Sequence, residues 1–320
     1  MSTARYVPET WHLTGDDARE TLQSTGSGRL LKDGFSRLRW SDGFSHARSL
    51  AYTVSLVLVQ GIIAVVGLAT ALGEGQISDV IRTTFENTVP GPAGDVLTTA
   101  IGQAQSAGSS GRFTALVLGL VGALITATLA MAQLERSLNR IYGIEQDRPS
   151  AKKYGLAFLL TLTAGTLLVL AFVAIAFGRT LGDSLDDDAV ATVWSFARWP
   201  LALVMLLAAM AMLFKVCPRR RQPAWSWLAL GAAASVALWA IVTLALGLFF
   251  QVNDSFGETY GPLAGMLALL LWAFVSSAAV LYGAALAAQL EAVRAGAPEP
   301  KDEVKAAATD PESAALRVAS

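Results

Sequence analysis

Residues Met131–Gly143 read M-A-Q-L-E-R-S-L-N-R-I-Y-G. A long run without charged side chains ends here, and the helical register carries on into polar sequence, where Arg136, Asn139, Arg140 and Gly143 recur at i, i+3, i+4 and i+7. One helix face therefore carries two guanidiniums and an amide at the mouth of an apolar helix. A planar guanidinium keeps its charge and can grip a carboxylate or phosphate with two bonds, so the stripe is a candidate anion site. Cations beside a membrane span also set its orientation, and that reading competes with the first.

Working outward, the composition is that of a membrane protein. Of 320 residues 53% are hydrophobic and 15% charged, against about 25% charged in soluble domains. Apolar runs of about 20 residues, enough to cross a hydrocarbon core, fall at Leu50–Leu72, Phe113–Leu134, Leu156–Phe177, Trp199–Val216, Trp227–Phe250 and Leu263–Leu290. Strict alternation is absent, so the expected fold is all-α and polytopic, with six transmembrane helices. Pro200 is expected at the start of the fourth, where its missing N–H costs nothing.

Between spans one and two, Pro90-Gly91-Pro92 divides two amphipathic patterns, Ile77/Val80/Ile81/Phe85 and Val96/Leu97/Ala100/Ile101/Ala104. They predict an extracytoplasmic helical hairpin, with a plain surface loop as the alternative. Residues 1–27 lack apolar periodicity and read as a mobile tail; 28–48 read as a basic amphipathic juxtamembrane segment; 49–292 form the membrane domain; and 293–320, rich in Ala, Pro, Lys and Glu, read as a second tail. The first apolar run starts too late for a cleaved secretory signal.

Charge tests the topology independently of hydropathy. With both tails and the loops Glu135–Gly155 and Cys217–Ser226 on the cytoplasmic side, only Arg82, Arg112, Arg179 and Arg198 of 24 basic residues lie outside. Arg219, Arg220 and Arg221, with no acid nearby, form a candidate cytoplasmic basic rim.

The residue census argues against several chemistries. No ionisable side chain lies deep in a span, where it would cost about 2.5 to 3.5 kcal/mol, so a proton-driven carrier is disfavoured. His12 and His46 stand outside any zinc-binding spacing, and Asp186-Asp187-Asp188 reads as a solvated loop, so no metal and no cofactor is expected. A nucleotide-binding loop and a Gly-x-Ser-x-Gly elbow are missing, no catalytic residue emerges, and the basic loops are explained without nucleic acid. Cys217 is the sole cysteine.

The chain resembles the YihY/BrkB family, once labelled ribonuclease-BN-like. Carrying the resemblance are Leu138-Asn139-Arg140-Ile141-Tyr142-Gly143, Pro218-Arg219 before Trp225, Trp239, Leu50-Ala51-Tyr52, Gly283-Ala284, and Tyr260-Gly261-Pro262-Leu263 leading to Leu270-Leu271-Trp272. It covers about Phe35 to Glu291. The resemblance implies a six-helix bacterial inner-membrane protein with both termini cytoplasmic, concerned with the cell envelope and with moving lipids or other amphiphiles. It adds Tyr142 to the candidate headgroup-binding set of Arg136, Asn139 and Arg140, and makes Tyr260, Gly261 and Pro262 a candidate structural turn. Members often carry Glu and Asn where this chain has Ala285 and Ala287, which puts an unaltered activity in question. The expected partners are membrane lipids and envelope proteins, and glycine-bearing faces would serve a homo-oligomer as well as internal packing. A scaffold that moves nothing is the rival reading, and a membrane-bound ribonuclease a distant third.

Overall fold

The computed structural model describes residues 2–71, 91–106, 112–176, 188–253 and 263–305. Among them the chain forms nine α-helices: α1 Gly15–Thr25, α2 Ser27–Trp40, α3 Gly43–Ala71, α4 Pro92–Ser106, α5 Arg112–Ile141, α6 Ser150–Ala176, α7 Asp188–Val216, α8 Trp225–Val252 and α9 Ala264–Arg294. The only β pairing among the described residues is an isolated bridge between Ala4 and Lys301. Among the described residues five helical stretches are long and apolar enough to cross a membrane: Val117–Ile141, Ser150–Ile175, Thr192–Val216, Trp225–Val252 and Ala264–Arg294. Helix α3 occupies the stretch expected as the first span. The protein is thus an all-α polytopic membrane protein.

The long helices neighbour one another in chain order, α3 on α5, α5 on α6, α6 on α7, α7 on α8 and α8 on α9, and α9 closes the circuit on α3. Helix α9 also touches α1, α2, α4 and α5, and of the five candidate spans it is the most deeply buried. Its approach to α8 is set by small residues. A Cβ on Gly231 would stand 2.7 Å from the Gly283 carbonyl oxygen and 2.8 Å from the Ala287 Cβ, while the Ser235 hydroxyl donates across the crossing to Val280 O at 3.2 Å. Backbones this close gain dispersion contacts that bulkier residues forbid, the main attraction between helices in lipid. Ala285 and Ala287, both fully buried, lie in this tight stretch of α9.

Other expectations need correction. Pro200 lies inside α7, not at its start, because the helix already begins at Asp188; a membrane helix tolerates the lost bond where its neighbours re-satisfy the backbone. Of the outer hairpin, the arm containing Ile77, Val80, Ile81 and Phe85 is outside the described residues, as is the turn Tyr260, Gly261 and Pro262. The other arm, α4, packs into the bundle: Ala93 and Leu97 are fully buried in a cluster with Phe250, Ala268, Leu269 and Trp272.

The segment 28–48 breaks at Asp42, whose φ is +59°, into α2 and the first turn of α3. Helix α2 is not a membrane-surface element alone. Its Gly34 faces the Leu286 side chain of α9, and Arg37 and Leu38 are buried, while Leu31 and Phe35 remain exposed. The N-terminal residues, expected as a mobile tail, are packed as well. Ala4, Val7 and Leu13 are buried, and Thr14 and Asp17 close the start of α1 through bonds of 2.9 Å from the Thr14 N–H and hydroxyl. Beside them, part of the expected C-terminal tail runs antiparallel: Arg5 N donates to Pro300 O at 3.0 Å and Asp302 N to Thr3 O at 2.9 Å.

Candidate functional site

The helix ends Gly43, Ile141, Ser150, Val216, Trp225 and Arg294 gather beneath the segments 2–13, 142–149, 217–224 and 295–305, and nearly all the predicted site residues meet there. Three buried or half-buried carboxylates organise the basic side chains.

Asp147 is the first. Its carboxylate accepts from Arg136 Nε at 2.9 Å, Lys153 Nζ at 3.2 Å and Asn139 Nδ2 at 3.3 Å, with Arg140 Nη2 at 3.7 Å. Arg219 reaches the Asp147 carbonyl oxygen through Nη1 at 2.9 Å, and its own N–H donates to Asn139 Oδ1 at 2.7 Å. Burial raises the Asp147 carboxyl, but the bonds from Arg136, Asn139 and Lys153 outweigh it and hold the group below the usual carboxylate range. Arg136, Asn139 and Arg140 thus share one face, and the carboxylate they meet is the chain's own Asp147. Asn139, fully buried, is the joint that ties α5 to the 217–224 segment through both ends of its amide.

The second is Glu135, fully buried at the end of α5. Arg148 Nη1 stands 2.9 Å from its Oε1 while donating to Cys217 O at 2.6 Å, and Nη2 donates to Val216 O and Pro218 O at 3.2 and 3.1 Å. One guanidinium thus terminates α7, satisfying carbonyls that a helix end leaves without partners, and neutralises a buried acid. Burial, then the Glu135 charge, pushes the Cys217 thiol far up, so it is an inert core residue rather than a nucleophile.

The third is Glu291, three residues before the end of α9. Its Oε1 accepts from Arg220 Nη2 at 2.5 Å and from the Thr10 hydroxyl at 2.6 Å. Arg220 lies over the Tyr142 ring, 4.7 Å from its centroid, and donates to Val7 O and Pro8 O at 3.2 and 3.1 Å. Arg37, fully buried, donates from Nε to Gln289 Oε1 at 2.7 Å and from Nη1 to Arg5 O at 2.9 Å and Ile141 O at 3.3 Å. Burial drags its pKa down to about 10 against the opposing pull of Tyr142 and Glu291. Burial likewise raises the Tyr142 phenol, which stays neutral.

The rim read as one cationic patch thus divides into three roles. Arg219, though exposed, serves Asp147; the Arg220 side chain is buried in the Glu291 cluster; and Arg221 is exposed, its N–H donating to Glu9 Oε1 at 3.3 Å. Tyr142 belongs to the Glu291 cluster, not to the Arg136 stripe. Sequence reasoning missed Arg37, Glu135, Asp147, Arg148, Gln289 and Glu291 as site residues. A usable signal existed in Gln289 and Glu291, polar residues inside an otherwise Ala/Leu run, and in Glu135 directly after Leu134.

Polar groups also meet twice between α3 and α5: Thr126 donates to Gln60 Oε1 at 2.8 Å, and, close to this end, Gln133 Nε2 lies 3.2 Å from His46 Nδ1. Among the described residues no group of three or more His, Cys, Asp or Glu side chains is placed to hold a metal ion.

The sequence model for "Virulence factor BrkB" matches residues 35–309. A ribonuclease-like protein of Bacillus subtilis (strain 168), YfkH, is 25% identical over 266 residues, covering 82% of this chain and 94% of that protein. A UPF0761 membrane protein of Xanthomonas campestris pv. campestris (strain B100) is 29% identical over 298 residues, covering 89% of this chain and 65% of the relative. Another, from Xanthomonas axonopodis pv. citri (strain 306), is 29% identical over 296 residues, with 88% and 65% covered. The chain therefore spans about two thirds of the length of these Xanthomonas relatives. No solved structure matches it.

Proposed function

Because the chain belongs to the virulence factor BrkB family, we propose that it is a six-span protein of the bacterial inner membrane, with both termini cytoplasmic, that moves a lipid or another amphiphilic anion across the bilayer. The observation that carries this reading is the Asp147 cluster. Arg136, Arg140 and Lys153 converge on a single carboxylate, and Arg219 sits on the carbonyl of the same residue, so positive charge exceeds negative in this cluster at the mouth of the bundle. Such an arrangement attracts anionic headgroups from the cytoplasmic leaflet. Asp147 acts as a resident stand-in for the headgroup and keeps the guanidiniums aligned when none is bound. Acyl chains would stay in hydrocarbon beside α5 and α6, whose Leu118, Ile125, Leu159 and Val169 are exposed.

On this reading the protein is not an enzyme, and the ribonuclease-like name of its Bacillus relative does not describe it; purified protein should leave RNA intact with or without a chelator. The decisive test is headgroup movement in reconstituted vesicles. Arg136→Ala and Arg140→Ala should slow it with the fold retained, and Asp147→Asn, which frees the cations, should change it in the opposite direction from the arginine variants. Absence of movement for every envelope lipid ends the proposal.

A second reading, a non-transporting scaffold for envelope proteins, draws on the exposed Tyr6 and Trp11 on the surface built by the chain's ends. It predicts partner capture that is lost on Trp11→Ala or on deletion of Gly73–Arg112, and vesicles that move no lipid. Self-association fits either reading, since Gly155 and Gly165 on α6 face open space.

A further inference from the structure

We infer that the Arg37–Arg220–Tyr142–Glu291 cluster is a second, gated site for a phosphodiester headgroup, and that the N-terminal residues 5–10 occupy it with their own backbone oxygens. Four observations support this.

The first is charge. Two guanidiniums, Arg37 fully buried and the Arg220 side chain 1% exposed, stand with a single carboxylate, Glu291, also fully buried and bonded to Arg220. The cluster thus holds an excess of one positive charge away from water, where an unbalanced ion is costly and a singly charged anion is the matching ligand.

The second is what neutralises that excess now. The covering segment supplies no side-chain acid to either guanidinium. It supplies the carbonyl oxygens of Arg5 to Arg37 and of Val7 and Pro8 to Arg220. Neutral dipoles in the positions where a phosphate's oxygens would lie make a replaceable ligand, weaker than an anion in the same place.

The third is incomplete satisfaction. Arg37 Nη2 and Glu291 Oε2 are both buried without a hydrogen-bond partner. One is a donor and the other an acceptor, and contacts link them: Arg37 bonds the carbonyl of Ile141, next to the Tyr142 ring on which Arg220 lies, and Arg220 is paired with Glu291. A headgroup with a phosphodiester and a neighbouring hydroxyl matches this pair: phosphate oxygens on the guanidiniums and the hydroxyl donating to Glu291 Oε2. A zwitterionic headgroup that ends in a quaternary ammonium has no hydroxyl to donate.

The fourth is how the segment is held. It docks through backbone bonds, Val7 N to Tyr142 O at 3.1 Å and Thr10 N to Glu291 Oε1 at 3.3 Å, with the Thr10 hydroxyl on the same oxygen at 2.6 Å and the Val7 side chain buried, and it lies over Gly143, whose φ is +74° and where a Cβ would stand 2.6 Å from Tyr6 Cα. Backbone docking of this kind can release as a unit when a charged ligand takes the guanidiniums.

This inference shares with the proposed function the idea of headgroup recognition, but it concerns binding and displacement, not movement across the bilayer. The experiment is hydrogen–deuterium exchange of the full chain in nanodiscs. Phosphatidylglycerol against phosphatidylcholine discs should raise exchange at residues 5–10 at least tenfold, and inorganic phosphate added to phosphatidylcholine discs separates a free phosphate from a lipid headgroup as the source. Arg37→Gln should abolish the response, and Arg37→Lys, which keeps the charge in place and removes the fork, should retain the fold and raise the lipid fraction needed. Asp147→Asn should leave the response intact, so failure of the transport reading does not count against this one. Exchange at residues 5–10 that is the same in both discs and in added phosphate overturns the inference, as does an undiminished response in Arg37→Gln.

Discussion

Arg148 shows how much one side chain at the basic end carries. It neutralises a fully buried acid and caps three carbonyls at once. Removing one partner of a buried pair leaves the other charge stranded, at a cost of about 3–5 kcal/mol. Arg148→Met should therefore lower the melting temperature by several degrees in detergent, and the double variant Arg148→Met/Glu135→Leu should recover much of the loss; equal melting of Arg148→Met and the parent would refute the pairing. Asp147 makes a pH prediction. Its folded-state pKa is depressed, so its stabilisation is complete above the ordinary carboxylate value of about 3.9 and disappears as pH falls through the lower folded value. Amide protection of residues 142–149 should hold from pH 7 to about 4 and decline below, and Asp147→Asn should flatten that profile. The guanidinium–amide stripe was legible from spacing alone, because helical periodicity places Arg136, Asn139 and Arg140 on one face. Its ligand was not, since Asp147 lies beyond the helix end, where no period relates it to the stripe. Arg37 was hidden for a similar reason: among the basic residues of α2 nothing local marks the one that turns inward.

At the scale of elements, hydrophobic run length located the apolar helices well, and their ends less well. Prolines mislead here: Pro200 reads as a start signal, yet α7 begins twelve residues earlier, at Asp188. The N-terminal segment defeats periodicity altogether, because residues 3–10 are held by backbone bonds to Trp40, Pro300 and Tyr142 and by the guanidiniums of Arg37 and Arg220, not by an apolar stripe. The α8–α9 crossing yields a sharper prediction. A Cβ at Gly231 meets backbone and the Ala287 methyl, neither of which can swing away, and overpacking of this kind costs about 1–3 kcal/mol or more. Gly231→Leu should separate the helices and reduce the yield of folded protein, while Gly165→Leu, on an open face of α6, should be neutral in the same size-exclusion and melting assay.

For the whole molecule, the antiparallel circuit of long helices and the sorting of basic residues to one end make a topology that chemistry can check. Cys217 is buried and should be silent to thiol reagents, so single cysteines report cleanly. Arg221→Cys should react from the cytoplasmic face and Asp254→Cys only from the opposite face; labelling of both from one side would dismantle the topology and the proposed headgroup entrance with it.

The bond between Thr10 and Glu291 spans 281 positions, and the bridge between Ala4 and Lys301 spans nearly the whole described chain. A ribosome delivers the first of these partners long before the last, so residues 4–10 must wait, unsheltered, until residues 291–301 have been made. Biogenesis of this protein therefore closes like a clasp, and a nascent chain arrested anywhere before Glu291 should be cut near residues 4–10 by proteases that spare the released product.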